Sequence, residues 1–270
     1  MVDSSFERIA DERKKALIIA IGNYQKETYW KPIKSLNDTS LLIESLGRQG
    51  FNQFMIVSDS QASREGVQRA FDEFSKQLKE GDVAVVHISS HGQQIEDDNG
   101  DEADRLDESI ACFNSPMLPP NSYKGELHLR DDELGVLLDK LRQKLGASGD
   151  LLVMLDACYS GTGTRGPGSY RGGAPAIVSE NFQWGKEDET IDLETSLSRG
   201  VSSKKAGMTV ISAAKANEKN KEYKDSCGSL SLAFHRASQK LNPGYTYQAL
   251  FSEIQREMAV LVPYQQPTLE

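Results

Sequence analysis

The chain has 270 residues, 38% of them hydrophobic and 26% charged, enough for one large globular domain or two small ones. Forty acidic against 31 basic side chains give a net charge of −9, which argues against a general nucleic-acid binder with its broad basic face. No apolar run approaches the ~18 residues that span a membrane, and three cysteines with neither a CxxC pair nor a signal-like start suit reduced thiols in the cytoplasm and no zinc site.

Residues 1–14 read as a polar leader. ALIIAIG at 16–22 has the continuous apolar run of a buried strand. Residues 36–48 have helical spacing, with Asn37 or Asp38 near the start, and FMIVS at 54–58 is a second strand. Val67, Ala70, Phe71, Phe74 and Leu78 recur at helical intervals over 63–79, and VAVVHIS at 83–89 is a third strand. An irregular acidic stretch follows. Residues 131–145 then read as a helix, LLVML at 151–155 and MTVISA at 208–213 as strands, and 228–240 and 246–260 as two last helices. Strands alternating with helices predict a mostly parallel sheet covered on both faces. The stretch 162–206, rich in Gly, Ser and charge, is too long for a simple connection and reads as a mobile loop or a processed linker. It separates a larger part, about 15–165, from a smaller one, about 207–270, which share one sheet.

Two segments carry chemistry: VAVVHISSHGQQ at 83–94 and LLVMLDACYSGTGTRG at 151–166. Each is a buried strand ending in small residues and one reactive side chain, His91 in the first and Cys158 in the second. In open α/β sheets ligands bind beyond the carboxyl ends of the strands, so neighbouring strands would bring the two groups to one crevice. A free thiol with a pKa of about 8.5 is mostly protonated at neutral pH; an adjacent imidazole removes its proton and later protonates the leaving amine. The backbone N–H groups of Gly92 and Cys158 are placed to stabilise an oxyanion. Taken singly, a cysteine or a histidine at a strand end is more often structural, and His87, inside its strand pattern, is read that way.

The pairing of SSHGQQ with DACYSG resembles the histidine and cysteine boxes of the caspase-like cysteine peptidases, most closely the metacaspase and prokaryotic orthocaspase branch. The resemblance runs from about Lys15 to Glu270 and includes ALIIAIGNY, SLNDTSLLIESL, GDEADRLDESI and VISAAKANE. It implies a caspase-like three-layer sandwich with about six mostly parallel strands. It also implies a nucleophile at Cys158, a base at His91 and a basic residue before the cut bond. Asp156, two positions before Cys158, would line the pocket for Arg or Lys, with Asp38, Ser89 and Ser35 at the other matching positions. Asp38 has a competing reading as a helix cap, and Asp156 as a loop anchor.

Calcium often activates the resembled enzymes, and their ligands match Asp107, Asp131 and Asp132. An EF-hand loop fails in the acidic 96–108 stretch, because Ile95 and Leu106 would fall at ligand positions. A solvated charged loop is the plainer reading, and Thr164 and Arg165 stand where a further ligand would be. Tyr159 and Ser35 replace a His and a Cys of the family pattern. If the chain cuts after basic residues, Arg165, Arg171, Lys186, Arg199, Lys204 and Lys205 are candidates for self-cleavage. Nothing resembles a phosphate-binding glycine loop. The rival readings are a silent scaffold with the same fold and an esterase using the same two residues. The partners expected are a peptide or protein with a basic residue, and the chain itself as monomer or weak dimer, with room for a further domain or regulatory partner.

Overall fold

The computed structural model describes residues 12–120, 122–158, 170–184, 204–215 and 218–270. Its centre is a six-stranded sheet. In chain order the strands are β1 (Lys14–Ala20), β2 (Gln53–Ser58), β3 (Val83–Ser89), β7 (Asp150–Asp156), β8 (Gly207–Ser212) and β11 (Thr268–Leu269). In space they run β11-β8-β7-β3-β1-β2, all parallel except the two-residue β11 at the edge of β8.

The apolar runs of β1, β3 and β7 are continuous because both faces are covered. Alternate residues go to opposite sides. Leu17, Ile19, Val86, Val153 and Leu155 pack with helices α2 (Arg64–Gln77) and α3 (Asp131–Leu145). Ala16, Ile18, Val85, Leu152 and Met154 pack with α1 (Ser35–Arg48), α4 (Ser229–Lys240) and α5 (Tyr247–Leu261). Full burial of one such aliphatic side chain contributes roughly 1.5–3 kcal/mol. The result is the expected three-layer α/β sandwich, with helix bounds within two residues of those read from periodicity.

The acidic stretch after β3 differs from its reading as irregular. It forms an antiparallel sheet of β4 (Gly92–Glu96), β5 (Leu106–Ile110) and β6 (Leu129–Arg130). Its strands carry too many charges for their alternation to stand out, yet all five residues of β5, LDESI, are buried. A hairpin-like pair, β9 (Glu222–Tyr223) with β10 (Cys227–Gly228), precedes α4. Among the described residues no helix is long and apolar enough to cross a membrane.

Candidate active site

The parallel strands β1, β3, β7 and β8 all end on one side, and the loops that follow them assemble the site there. β3 and β7 are neighbours with Ser89 opposite Asp156, so His91 and Cys158 leave the sheet side by side. The decisive contact lies on the backbone. The N–H of Cys158 (2.8 Å) and that of Gly92 (3.3 Å) both donate to one oxygen, the carbonyl of Arg171. Both donors expected of an oxyanion site therefore converge on a single peptide carbonyl of the chain itself.

The side chain on that carbonyl's residue lies among the acids that the resemblance singled out. Arg171 is fully buried. Its Nη1 lies 2.8 Å from Asp38 Oδ2, 3.5 Å from Asp156 Oδ1 and donates to Ser89 Oγ at 2.6 Å. Its Nη2 lies 3.1 Å from Glu222 Oε1. Burial works against the guanidinium's charge, but the carboxylates of Asp156, Asp38 and Glu222 outweigh it and raise its pKa. Burial would likewise raise the Asp156 carboxyl; Arg171 and hydrogen bonds from Asn220 and Ser231 hold it below the usual carboxylate range instead. Asp156 Oδ2 accepts from the Ser231 N–H (2.9 Å) and hydroxyl (2.7 Å) in the first turn of α4, where the helix dipole favours an anion. Asn220 Nδ2 donates to Oδ1 at 2.7 Å.

Asp38 does not cap its helix. It lies inside α1, accepting from Ser89 Oγ and, at 2.8 Å, from the Gly228 N–H. Two glycines make the fit. A Cβ on Gly228 would sit 2.1 Å from Asp156 Oδ2 and 2.6 Å from Arg171 Nη1, and one on Gly172 would sit 2.1 Å from the Cys158 carbonyl oxygen. Ser35 is buried with a hydroxyl that has no hydrogen-bond partner among the described residues. Glu222 was not foreseen, since an isolated glutamate in KEY, 65 residues past Ala157, carries no local signal.

His91 is held from the β1–α1 loop. Its Nε2 pairs with the Lys31 carbonyl at 2.9 Å, its N–H donates to the Tyr24 hydroxyl at 2.8 Å, and its ring stacks on Trp30 with centroids 4.6 Å apart. The carbonyl fixes the proton on Nε2 and leaves Nδ1, which has no partner among the described residues, as a base. Burial pushes the His91 pKa down to about 4, against the Lys31 hydrogen bond. The imidazole is therefore neutral near pH 7. The Cys158 thiol donates to the Glu218 carbonyl at 3.1 Å. His87 is buried in β3 against Ser231 Oγ, 3.1 Å away.

The segment that delivers Arg171 makes further contacts beside the site. Tyr170 bridges Lys221, Gln93 Nε2 donates to the Pro175 carbonyl, and Ile177 pairs with Gln94 and Glu96 of β4. Of the other basic residues considered for self-cleavage, Arg165, Lys186 and Arg199 lie outside the described residues. Lys204 is exposed, and Lys205 is 2.5 Å from Asp139.

The fold agrees with the comparison with known proteins. The sequence profile of the caspase domain (peptidase C14) matches residues 13–270. The chain belongs to the caspase domain family. Metacaspase-1A of Neurospora crassa is 28% identical over 158 residues, 56% of this chain but 32% of that protein. The chain thus spans about a third of the length of that relative. Among solved structures, protein GSU0716 of Geobacter sulfurreducens is similar with a TM-score of 0.67 at 20% identity, covering 95% of this chain and 92% of that one. Caspase-1 of Spodoptera frugiperda gives 0.59 at 12% identity, with 96% and 86% covered. Both likenesses bear on the fold.

Of the expected metal ligands, Asp107 falls in a close carboxylate group among the described residues. Carboxylate oxygens of Asp97, Asp98 and Asp107 lie within 4.8 Å of one another. Asp107 pairs with Arg130, Asp132 accepts from Asn99, and Asp131 is buried in the first turn of α3. Burial, with Asp131 and Asp97 adding repulsion against Arg130, raises Asp107 to about 7. Burial and four neighbouring aspartates do the same for Glu102.

Proposed function

We propose that the chain is a cysteine endopeptidase that cuts after Arg or Lys, with Cys158 as nucleophile and His91 as base. The observation that carries this is Arg171: a basic side chain in a pocket of three carboxylates, with its own carbonyl on the amides of Gly92 and Cys158. That is the pose a substrate's basic residue needs. Nδ1 of His91 takes the Cys158 proton as the sulfur attacks the carbonyl carbon, and the two amides receive the charge on oxygen. The thioester forms as the C–N bond breaks, and the imidazolium gives its proton to the departing amine. Water, deprotonated by His91, then releases the carboxylate and restores the thiol.

On this reading the chain is its own first substrate. Of the three basic residues considered that are described, Arg171, Lys204 and Lys205, Arg171 is the one whose carbonyl meets the Cys158 and Gly92 amides, next to the bond Arg171–Gly172. Until it leaves, it excludes other peptides. Calcium enters the proposal as an activator. Asp97, Asp98 and Asp107 offer the hard carboxylate oxygens it prefers, and their crowded charge is what a cation would relieve.

The test is hydrolysis of matched fluorogenic peptides ending in Arg, Lys or Asp by the wild-type chain and Cys158→Ala, with calcium and with chelator. Cleavage of the basic peptides that disappears in the variant is expected. Faster Asp cleavage, or none of any peptide under every condition, contradicts the reading.

A further inference from the structure

We infer that Glu222 sets a preference for Arg over Lys, a specificity role that rests on the peptidase reading above. The pocket holds the guanidinium by two separate nitrogens. One side, Nη1, is served by Asp38, Ser89 and Asp156. The other, Nη2, meets Glu222 at 3.1 Å. Glu222 comes from a different element than the other acids, the short β9, where it sits opposite Gly228.

Glu222 is also locked. It is 2% exposed, and its Oε1 accepts from the Lys34 N–H at 2.7 Å, just before α1. Its carboxylate is therefore in place before any substrate arrives, and it loses little freedom on binding. A planar guanidinium offers a fork that bridges both sides at once. A lysine ammonium is one nitrogen on a flexible stem. Seated against Asp38 and Ser89, it leaves Glu222 buried with only a backbone amide for company; seated against Glu222, it abandons the other two acids. A buried charge deprived of its cation is penalised strongly. A site built on such pairing discriminates far better than one relying on size. Asp38, Ser89 and Asp156 thus demand a cation, and Glu222 selects the forked one.

The experiment compares kcat/KM for paired Arg and Lys peptides in the wild-type enzyme after processing and in Glu222→Gln. The glutamine keeps an oxygen for the Lys34 N–H and the side-chain volume. Because one oxygen, Oε1, meets both Nη2 and the Lys34 N–H, the glutamine removes the charge while keeping an acceptor, which predicts a fall on the order of 10-fold for the Arg peptide and a much smaller change for Lys, so that the Arg-to-Lys ratio falls by a similar factor. Melting of both proteins accompanies the kinetics. An unchanged ratio overturns the assignment, and so does an equal loss on both peptides, which is what a merely structural role gives. Wild type cutting neither peptide removes the peptidase reading, and this assignment with it. A second arm uses Arg171→Lys: its cut after position 171 should be slower than wild type, and adding Glu222→Gln should erase that difference. A difference that persists counts against the role.

Discussion

Two clusters of acids among the described residues differ in how their buried charges are met. Around Arg171, three buried carboxylates share one cation and a dense set of donors: Ser89, Asn220, Ser231 and the Gly228 amide. There Asp156 is held below its ordinary pKa. In the β4–β5 loop and the start of β5, Asp97, Asp98, Glu102, Asp104, Asp107 and Glu108 crowd together with Arg130 as their main cation, and Glu102 and Asp107 are raised to about 7. Counting carboxylates does not separate the two regions. What separates them is whether each buried charge is met by a partner fixed by the fold.

The largest effect that would break this contrast is in the pocket. Asp156→Asn removes the most tightly held charge. With a buried pair costing about 3–5 kcal/mol to break, it should lower kcat/KM for Arg peptides on the order of 10³-fold. Asp98→Asn in the loop, assayed without calcium, should leave it within about 3-fold. Comparable losses in both would erase the distinction.

Gly228→Ala tests the fit instead of the charge. Its methyl meets Asp156 and Arg171 at distances no Cβ tolerates. Thermal unfolding should show a loss of about 1–3 kcal/mol, typical of overpacking, together with failure to cut after Arg171. Normal self-cleavage would mean that the pocket reopens elsewhere.

The pH dependence sharpens the comparison by sign. Asp156 titrates low when folded, so its stabilisation is present above the unfolded pKa of about 4 and lost as pH falls through the folded value. Neutral His91 acts in the same direction between about 6.5 and 4, where the unfolded chain binds a proton that the folded one refuses. Glu102 and Asp107 act the other way. Their folded pKa of about 7 lies above the unfolded one, so stability present in acid declines as pH rises through 7. Melting curves of wild type and of a Glu102→Gln variant from pH 5 to 8 should therefore diverge, the wild type losing relative stability towards pH 8. If calcium occupies the loop, adding it at pH 8 should recover part of that loss in wild type and less in the variant. Parallel curves would contradict the crowding argument.

The sheet and its helices were legible because their signals are local. β3 is a continuous apolar run, and α2 repeats its apolar residues at helical spacing. Cys158 and His91 stood out because each closes such a run before a glycine turn. Asp38, Ser89 and Asp156 came through resemblance, and the fold does bring them together. Three things were hidden for one physical reason, that they are made by distant pairing. The β4–β5–β6 sheet mixes buried charge with apolar residues and so lacks alternation. Trp30, Tyr24 and the Lys31 carbonyl support His91 from 60 or more residues away. Arg171 was one of six candidates for self-cleavage, but nothing in its Gly-rich stretch showed its burial, because its three acids come from α1, β7 and β9. Composition cannot show that a loop returns to fill a pocket.

The central claim is that Arg171 occupies the place of a substrate's basic residue, with its carbonyl ready for attack. Intact-mass and N-terminal analysis of purified wild type beside Cys158→Ala tests it most directly. The account predicts a wild-type fragment beginning at Gly172, and none in the variant. An active wild-type enzyme whose Arg171–Gly172 bond stays whole, or is cut equally in both proteins, would contradict it.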